Sequence, residues 1–167
     1  MSWRPTLSNQ SDQPAVKLVA FRIGDAYCLS SSRSLEAIDI PPPAMSQVPG
    51  TKPWVLGVGR LGRELVAFIS VSRLLSIPPA QNTSAFGSEV ALFVNGGESI
   101  GTIGIVVDEV VGFMPAGDFL DHDDPEMRIP PGLGACVRGT LRNDIRTWAY
   151  IDLKALLADP KIKKIDL

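Results

Sequence analysis

The chain has 167 residues, 45% of them hydrophobic and 20% charged, with a formal net charge of −2. That composition excludes a disordered chain, and the lack of a basic excess argues against nucleic acid as the main ligand. No stretch reaches the roughly 20 consecutive apolar residues of a membrane span, so no direct membrane insertion is expected and the cytoplasm is the default location.

Residues 1–16, "MSWRPTLSNQSDQPAV", lack the apolar run of a signal peptide and read as a disordered leader. Beyond them, fourteen prolines and fifteen glycines punctuate the chain and leave little room for long helices. Between these breakers lie short runs rich in Val, Ile, Phe and Leu. In chain order, 17–23, 54–61, 64–71, 88–94, 99–107, 109–114, 135–141 and 147–153 read as strands. Turn chemistry separates several of them: "GDA" at 24–26, "NGGE" at 95–98 and "RND" at 142–144. Two short helical pieces, 70–77 and 152–160, each open on a capping Ser or Asp and are followed by proline. Residues 159–167 read as a solvated tail.

Candidate chemical groups are few. His122 is the only histidine, so any Ser-His-Asp or His-metal site would have to run through it. It sits in "GDFLDHDDPE", which reads as an exposed acidic loop without calcium-loop spacing, and no metal is expected. Cys28 and Cys136 lie far apart and read as buried apolar residues, with a disulfide between them as the alternative. The hydroxyls of "SSSRS" (30–34) have no nearby base and read as a strand running into a turn. Asp108 and Glu109, adjacent in a strand, would point to opposite faces, which is poor geometry for shared acid–base work. No enzyme and no cofactor are expected.

An internal repeat organises the chain. Residues 57–75 lie over 139–157 without a gap. Gly57 meets Gly139, Arg60 meets Arg142, Ala67 meets Ala149, Ile69 meets Ile151, and the cap Ser70 meets Asp152. Glu36 and Glu109 correspond more loosely. Two copies of a small unit that packs on its twin predict an all-β fold of two pseudo-equivalent barrels side by side. The first barrel is expected mainly from 17–77 and the second mainly from 88–158, with some strand exchange allowed.

The repeat also tests "GVGRLG" (57–62), which has the G-x-G-x-x-G spacing of a dinucleotide-binding loop. In the second copy the same positions read "GTLRND", so only the first glycine is shared. The glycines should open a helix, yet "ELVAFISV" alternates as a strand does, and no acid lies about twenty residues on to hold a ribose. Leu61-Gly62 and Asn143-Asp144 read instead as hairpin tips where φ becomes positive. Gly59 stays without a full explanation at this level.

"FRIGDAYCL" followed by "LEAI", then "VPGTKPWVLGV", "GIVVDEVVG" and "IDLKALL" resemble the CheW-like family of chemotaxis coupling proteins, over about 17–158. The resemblance implies two SH3-like β-barrels, no catalysis, and an adaptor. Its partners would be the regulatory domain of a CheA-type histidine kinase and the cytoplasmic tip of a methyl-accepting chemoreceptor. "GTKPWVLGV" is also similar to PilI-type coupling proteins of type IV pilus twitching systems. By the same resemblance, the partner-binding residues are Leu35, Glu36, Gly57, Arg60 and Arg63. The family's hairpin pattern G-V-x-N-L-R-G-x-x-x-P-V-x-D-L is altered here, with Arg60 in place of Asn and the Arg-Gly pair reversed as Gly62-Arg63. A polar contact between Glu36 and one of these arginines is expected at the coupling face. Val19, Phe21, Leu35, Val55 and Val58 are the apolar candidates for a partner surface.

Overall fold

The computed structural model describes residues 16–42, 45–78, 89–98 and 100–158. The C-terminal tail and all but the last residue of the leader lie outside the described residues. Eleven strands and two short helices are formed among those described. In chain order the elements are β1 (Lys17–Ile23), β2 (Ala26–Ser31), β3 (Ala37–Asp39), β4 (Val55–Leu61), β5 (Glu64–Ser70) and α1 (Val71–Leu74). There follow β6 (Val90–Asn95), β7 (Thr102–Val107), β8 (Glu109–Pro115), β9 (Leu120–Asp121), β10 (Val137–Arg142), β11 (Thr147–Ile151) and α2 (Leu153–Leu157). The helices are shorter than the 70–77 and 152–160 expected, because each serves only to close a strand. The acidic loop around His122 also contributes the short strand β9, which pairs with β10 through Leu141 and Asp121.

The strands form two SH3-like barrels, one in the order β8-β1-β2-β11-β10-β9 and the other β3-β6-β7-β5-β4. Strand membership does not follow the contiguous halves 17–77 and 88–158. The β1–β2 hairpin of the first half pairs with β8 and β11 of the second, while the β6–β7 hairpin of the second half pairs with β3 and β5 of the first. Exchange is therefore the rule. Its cause is visible at two crossings. After β2 a turn at Ser32–Ser34 sends the chain into the other barrel, where the Glu36 amide donates to the Phe93 carbonyl at 2.8 Å. After β7 the chain crosses back, and the Asp108 amide donates to the Arg22 carbonyl at 3.0 Å.

The repeat is physical as well as textual. The β4–β5 and β10–β11 hairpins each carry a register shift at the same repeat positions, Val55/Gly57 and Val137/Gly139. The amide of the first helix cap donates to Trp54 in one copy (Ser70, 2.9 Å) and to Cys136 in the other (Asp152, 2.9 Å). Trp54 and Cys136 are themselves repeat mates, so the gapless alignment runs further back than 57, through Pro49-Gly50 over Pro131-Gly132 to Met45 over Met127.

Three apolar cores follow from strand alternation. Leu18, Ala20, Leu29, Phe119, Leu141 and Trp148 fill one barrel, and Val66, Phe68, Ala91, Phe93 and Val106 fill the other. The alternate positions of the same strands, among them Val19, Phe21, Cys28, Ala67, Ile69, Leu92, Ile103 and Ile105, meet in a larger core at the seam. Leu74 and Leu156 of the two helices plug that seam. Strands buried on both faces read as apolar runs, and the alternation read in "ELVAFISV" is corrected accordingly: Val66 to Ser70 are all buried, so β5 is a strand covered on two faces.

The glycines of "GVGRLG" now have separate reasons. Gly57 sits at φ +150° in the bulge, and a Cβ there would meet Met45 Cβ at 2.8 Å and the Ser46 carbonyl at 2.9 Å. Ser46 and Val58 exchange backbone hydrogen bonds of 2.9 and 3.1 Å that close the barrel at this point. Gly62, at φ +61°, is the hairpin tip. Gly59 makes room for a ring: a Cβ there would lie 2.8 Å from Phe68 Cε2, and a Cβ on Gly104 would lie 2.7 Å from Cδ1 of the same ring. The second copy solves its tip differently. Among the described residues only Ser76 is a non-glycine with positive φ, so Asn143 and Asp144 do not adopt it. Instead the Asn143 side-chain oxygen accepts from the Ile145 and Arg146 amides, each at 3.0 Å.

Candidate docking surface

Leu35 and Glu36 sit at the crossing from β2 to β3. Ser31 Oγ accepts from the Arg33 amide at 3.2 Å and fixes the turn, so the chain meets β6 in register at Glu36. Leu35 is half-buried against the seam core, while Glu36 is exposed. The Glu36 carboxylate accepts from Thr102 Oγ1 at 3.0 Å. Arg60 is exposed on β4, directly across from Leu65 of β5, and Arg63 is exposed at the tip of the same hairpin. Gly57 is buried beneath them as part of the bulge.

The structure brings Arg60 and Arg63 together on one hairpin but does not join them to Glu36. Strands β3 and β4 stand on opposite edges of their sheet, and among the described residues neither arginine forms an ion pair with Glu36. The expected polar contact is thus replaced by the Thr102 hydroxyl, which anchors the carboxylate within its own barrel. Val19 and Phe21, considered as apolar partner contacts, are fully buried in the seam, and Val55 and Val58 are half-buried.

The exposed apolar side chains lie elsewhere. Ile40 follows β3 and Leu65 lies on β5 of one barrel, whereas Val111 and Phe113 lie on β8 of the other. Phe113 pairs across from Val19, which places it on the seam-facing side of its sheet, yet it remains 58% exposed. Its neighbour Val110 packs on the seam core, as Leu35 does. These residues were absent from the sequence expectations. "EVVGFMP", apolar on both alternating faces although it ends in proline, was the available signal.

The Asp108–Glu109 pair is used structurally. Asp108 accepts from the Gly24 amide at 2.5 Å, and Glu109 pairs with the nearly buried Arg22 at 3.2 Å. Arg22 also donates to the Gly24 carbonyl at 2.6 Å, so the two acids hold the β1–β2 turn to the second crossing. Burial of Cys28 in the seam pushes its thiol far above the usual range. Tyr150 is raised by burial and, secondarily, by the charge of Asp152. Both cysteines are buried thiols that form no disulfide, which excludes the alternative pairing. No group of three or more His, Cys, Asp and Glu among the described residues is placed to hold a metal ion, and no described helix is long and apolar enough to cross a membrane.

Two strand-exchanged barrels around a common seam, with exposed apolar and charged residues on their outer strands, define an all-β double-barrel module. The chain belongs to the CheW-like domain family, whose model matches residues 17–161. Among solved structures, it is similar to the scaffolding protein TtCheW from Thermoanaerobacter tengcongensis, with a TM-score of 0.67 at 15% sequence identity, over 92% of this chain and 100% of that one. At that identity the likeness speaks for the fold. No functionally curated protein matches the chain in sequence.

Proposed function

We propose that this chain is a non-enzymatic adaptor that couples a CheA-type histidine kinase to the cytoplasmic tip of a chemoreceptor in a chemosensory array. Membership of the CheW-like family over nearly the whole folded region carries the reading. The fold likeness to a protein described as a scaffold agrees with it. The physical case rests on rigidity: each barrel takes strands from both halves of the chain and the two share a seam core, so partners bound to each are held in fixed relation. The receptor-facing surface is assigned to Leu35, Glu36, Arg60 and Arg63, with Gly57 shaping the strand beneath. Val111 and Phe113, exposed on the strand that follows the second crossing, are proposed as apolar contacts on the other barrel.

The Glu36 carboxylate is exposed and, among the described residues, accepts from one hydroxyl, so its reversal tests the surface without threatening the fold. Binding of the purified chain to a CheA-type kinase and to a receptor cytoplasmic fragment is measured separately by calorimetry. Glu36→Lys should weaken receptor binding at least about ten-fold, through like-charge and lost polar contacts at an interface, with an unchanged circular dichroism spectrum. Undiminished receptor binding would remove Glu36 from the surface. The altered "GRLGRE" hairpin favours one second reading: a module that binds the kinase but has lost receptor coupling. Kinase binding without receptor binding by the wild-type chain would select it.

A further inference from the structure

A groove of about 560 Å³ opens at the seam and is lined by none of the residues assigned above. Its walls come mainly from three distant pieces of chain, the β1–β2 turn at 25–27, the segment 75–78 after α1, and 127–131, with Thr147 of β11 as a fourth. The walls are mainly apolar, with Leu75, Ile77, Met127, Ile129, Pro130 and Pro131 among them. They are also pre-formed. A Cβ on Gly132 would meet Leu75 at 2.9 Å, and one on Gly24 would meet Ile77 at 2.6 Å, so the three pieces already touch at their closest approach. Ser76, at φ +54°, is held in a left-handed conformation at the same place, a cost that surrounding structure sustains.

One arginine lines the groove and a second, stacked on Tyr27 and Trp148, lies beside it. Arg128 lines the groove, and the Arg146 guanidinium lies 3.6 Å from the ring centroid of Tyr27, another lining residue. Among the described residues neither arginine forms an ion pair, and the buried Arg146 Nε has no hydrogen-bond partner. Asp25 is the one carboxylate lining the groove. The repeat mate of this groove is bounded by Gly96, Gly97, Lys154 and Leu157 and lacks both the aromatic wall and the proline segment. The two ends of the molecule have therefore diverged here.

We infer that this groove docks a short acidic–apolar peptide segment of a partner protein, with aliphatic or proline side chains between the walls and a carboxylate on Arg128 or Arg146. A pre-formed apolar cleft with an aromatic-stacked guanidinium is the composition that binds such segments with little ordering cost. The docking does not depend on receptor or kinase coupling.

The test uses the full chain, isotopically labelled, and three pentapeptide probes: Ac-ELPLE-amide, Ac-QLPLQ-amide and Ac-KLPLK-amide. Amide shifts followed by NMR up to about 5 mM peptide cover the affinity expected of a segment this short. The acidic probe should move the amides of Tyr27, Ser76 and Met127 while leaving Glu36 and Arg60 unmoved. The Lys probe should leave all of them unmoved, and the Gln probe should bind several-fold more weakly than the acidic one. Arg128→Glu, at an exposed position, should weaken the acidic probe about five-fold or more, as should raised salt. No localised shift, equal binding of the three probes, or shifts centred on Glu36 would each overturn the assignment. None of these results bears on kinase or receptor binding, which is read in its own assay.

Discussion

Gly59→Ala is the sharpest probe of how the glycine string works. The added methyl would stand 2.8 Å from Phe68 Cε2 and 3.1 Å from Pro42 Cγ, where carbon contacts settle near about 3.5–4.0 Å. The ring cannot retreat. It is fully buried, meets Phe93 edge-on at 5.6 Å, and faces Gly104 on its other side. Overpacking of this kind costs about 1–3 kcal/mol. About 2 kcal/mol corresponds to a fall in Tm of about 4–8 °C for a domain of this size. Phe68→Leu removes the atoms that the methyl meets, so the double variant should cost at least about 1 kcal/mol less than the sum of the singles. Gly62→Ala is the control: nothing lies within 4 Å of its Cβ. It should lose about 1–2 kcal/mol from left-handed backbone alone and show no coupling to Phe68. Urea unfolding followed by fluorescence and near-UV circular dichroism measures all of these. A Gly59→Ala chain as stable as wild type, or strict additivity with Phe68→Leu, would refute the packing argument.

Asn143→Ala should be destabilising by about 1–3 kcal/mol, because the Trp148 indole N–H loses its acceptor at 3.0 Å along with two amides of the turn; Asn143→Asp, which keeps the oxygen, should recover most of it in the same assay. Asp152→Ala removes the acceptor of the Lys154 and Ala155 amides and should cost about 1 kcal/mol, with Asp152→Asn close to wild type in unfolding midpoint. Stability should fall at alkaline pH. The Cys28 thiol is raised in the folded state, so its contribution is complete below the unfolded value of about 8.5 and declines above it by about 1.4 kcal/mol per pH unit. Tyr150 adds to the same decline above about pH 10; unfolding midpoints that stay flat between about pH 8 and 10 in the wild-type chain, or that fall as steeply in Cys28→Ala, would contradict the assignment. Both thiols should resist an aromatic disulfide reagent at neutral pH until the chain is unfolded.

The strands were largely legible because their apolar runs are separated by glycine and proline turns, and the twin hairpins were legible because their bulges and caps repeat in sequence. Pairing between the halves was not. Nothing local in "LEAID" or "DEVVG" says which barrel a strand enters, since the choice is made by backbone bonds such as Glu36 to Phe93 and Asp108 to Arg22. The unbroken runs of β1 and β5 did carry a hint of it, as strands with two buried faces must lie between two cores. At the candidate surface, Glu36 and the arginines came from the family resemblance. Thr102 could not be foreseen as the partner of Glu36, because their nearness arises only from β3 and β7 flanking β6. The groove at 25–27, 75–78, 127–131 and Thr147 is assembled from separated segments and leaves no pattern in any one of them.

Coupling is tested most directly by sedimentation of a CheA-type kinase with receptor cytoplasmic fragments displayed on vesicles, with and without this chain. The kinase should enter the pellet only when the chain is present, and the folded Glu36→Lys variant should leave it in the supernatant. Equal recruitment of the kinase without the chain, or none with the wild-type chain, would contradict the adaptor reading.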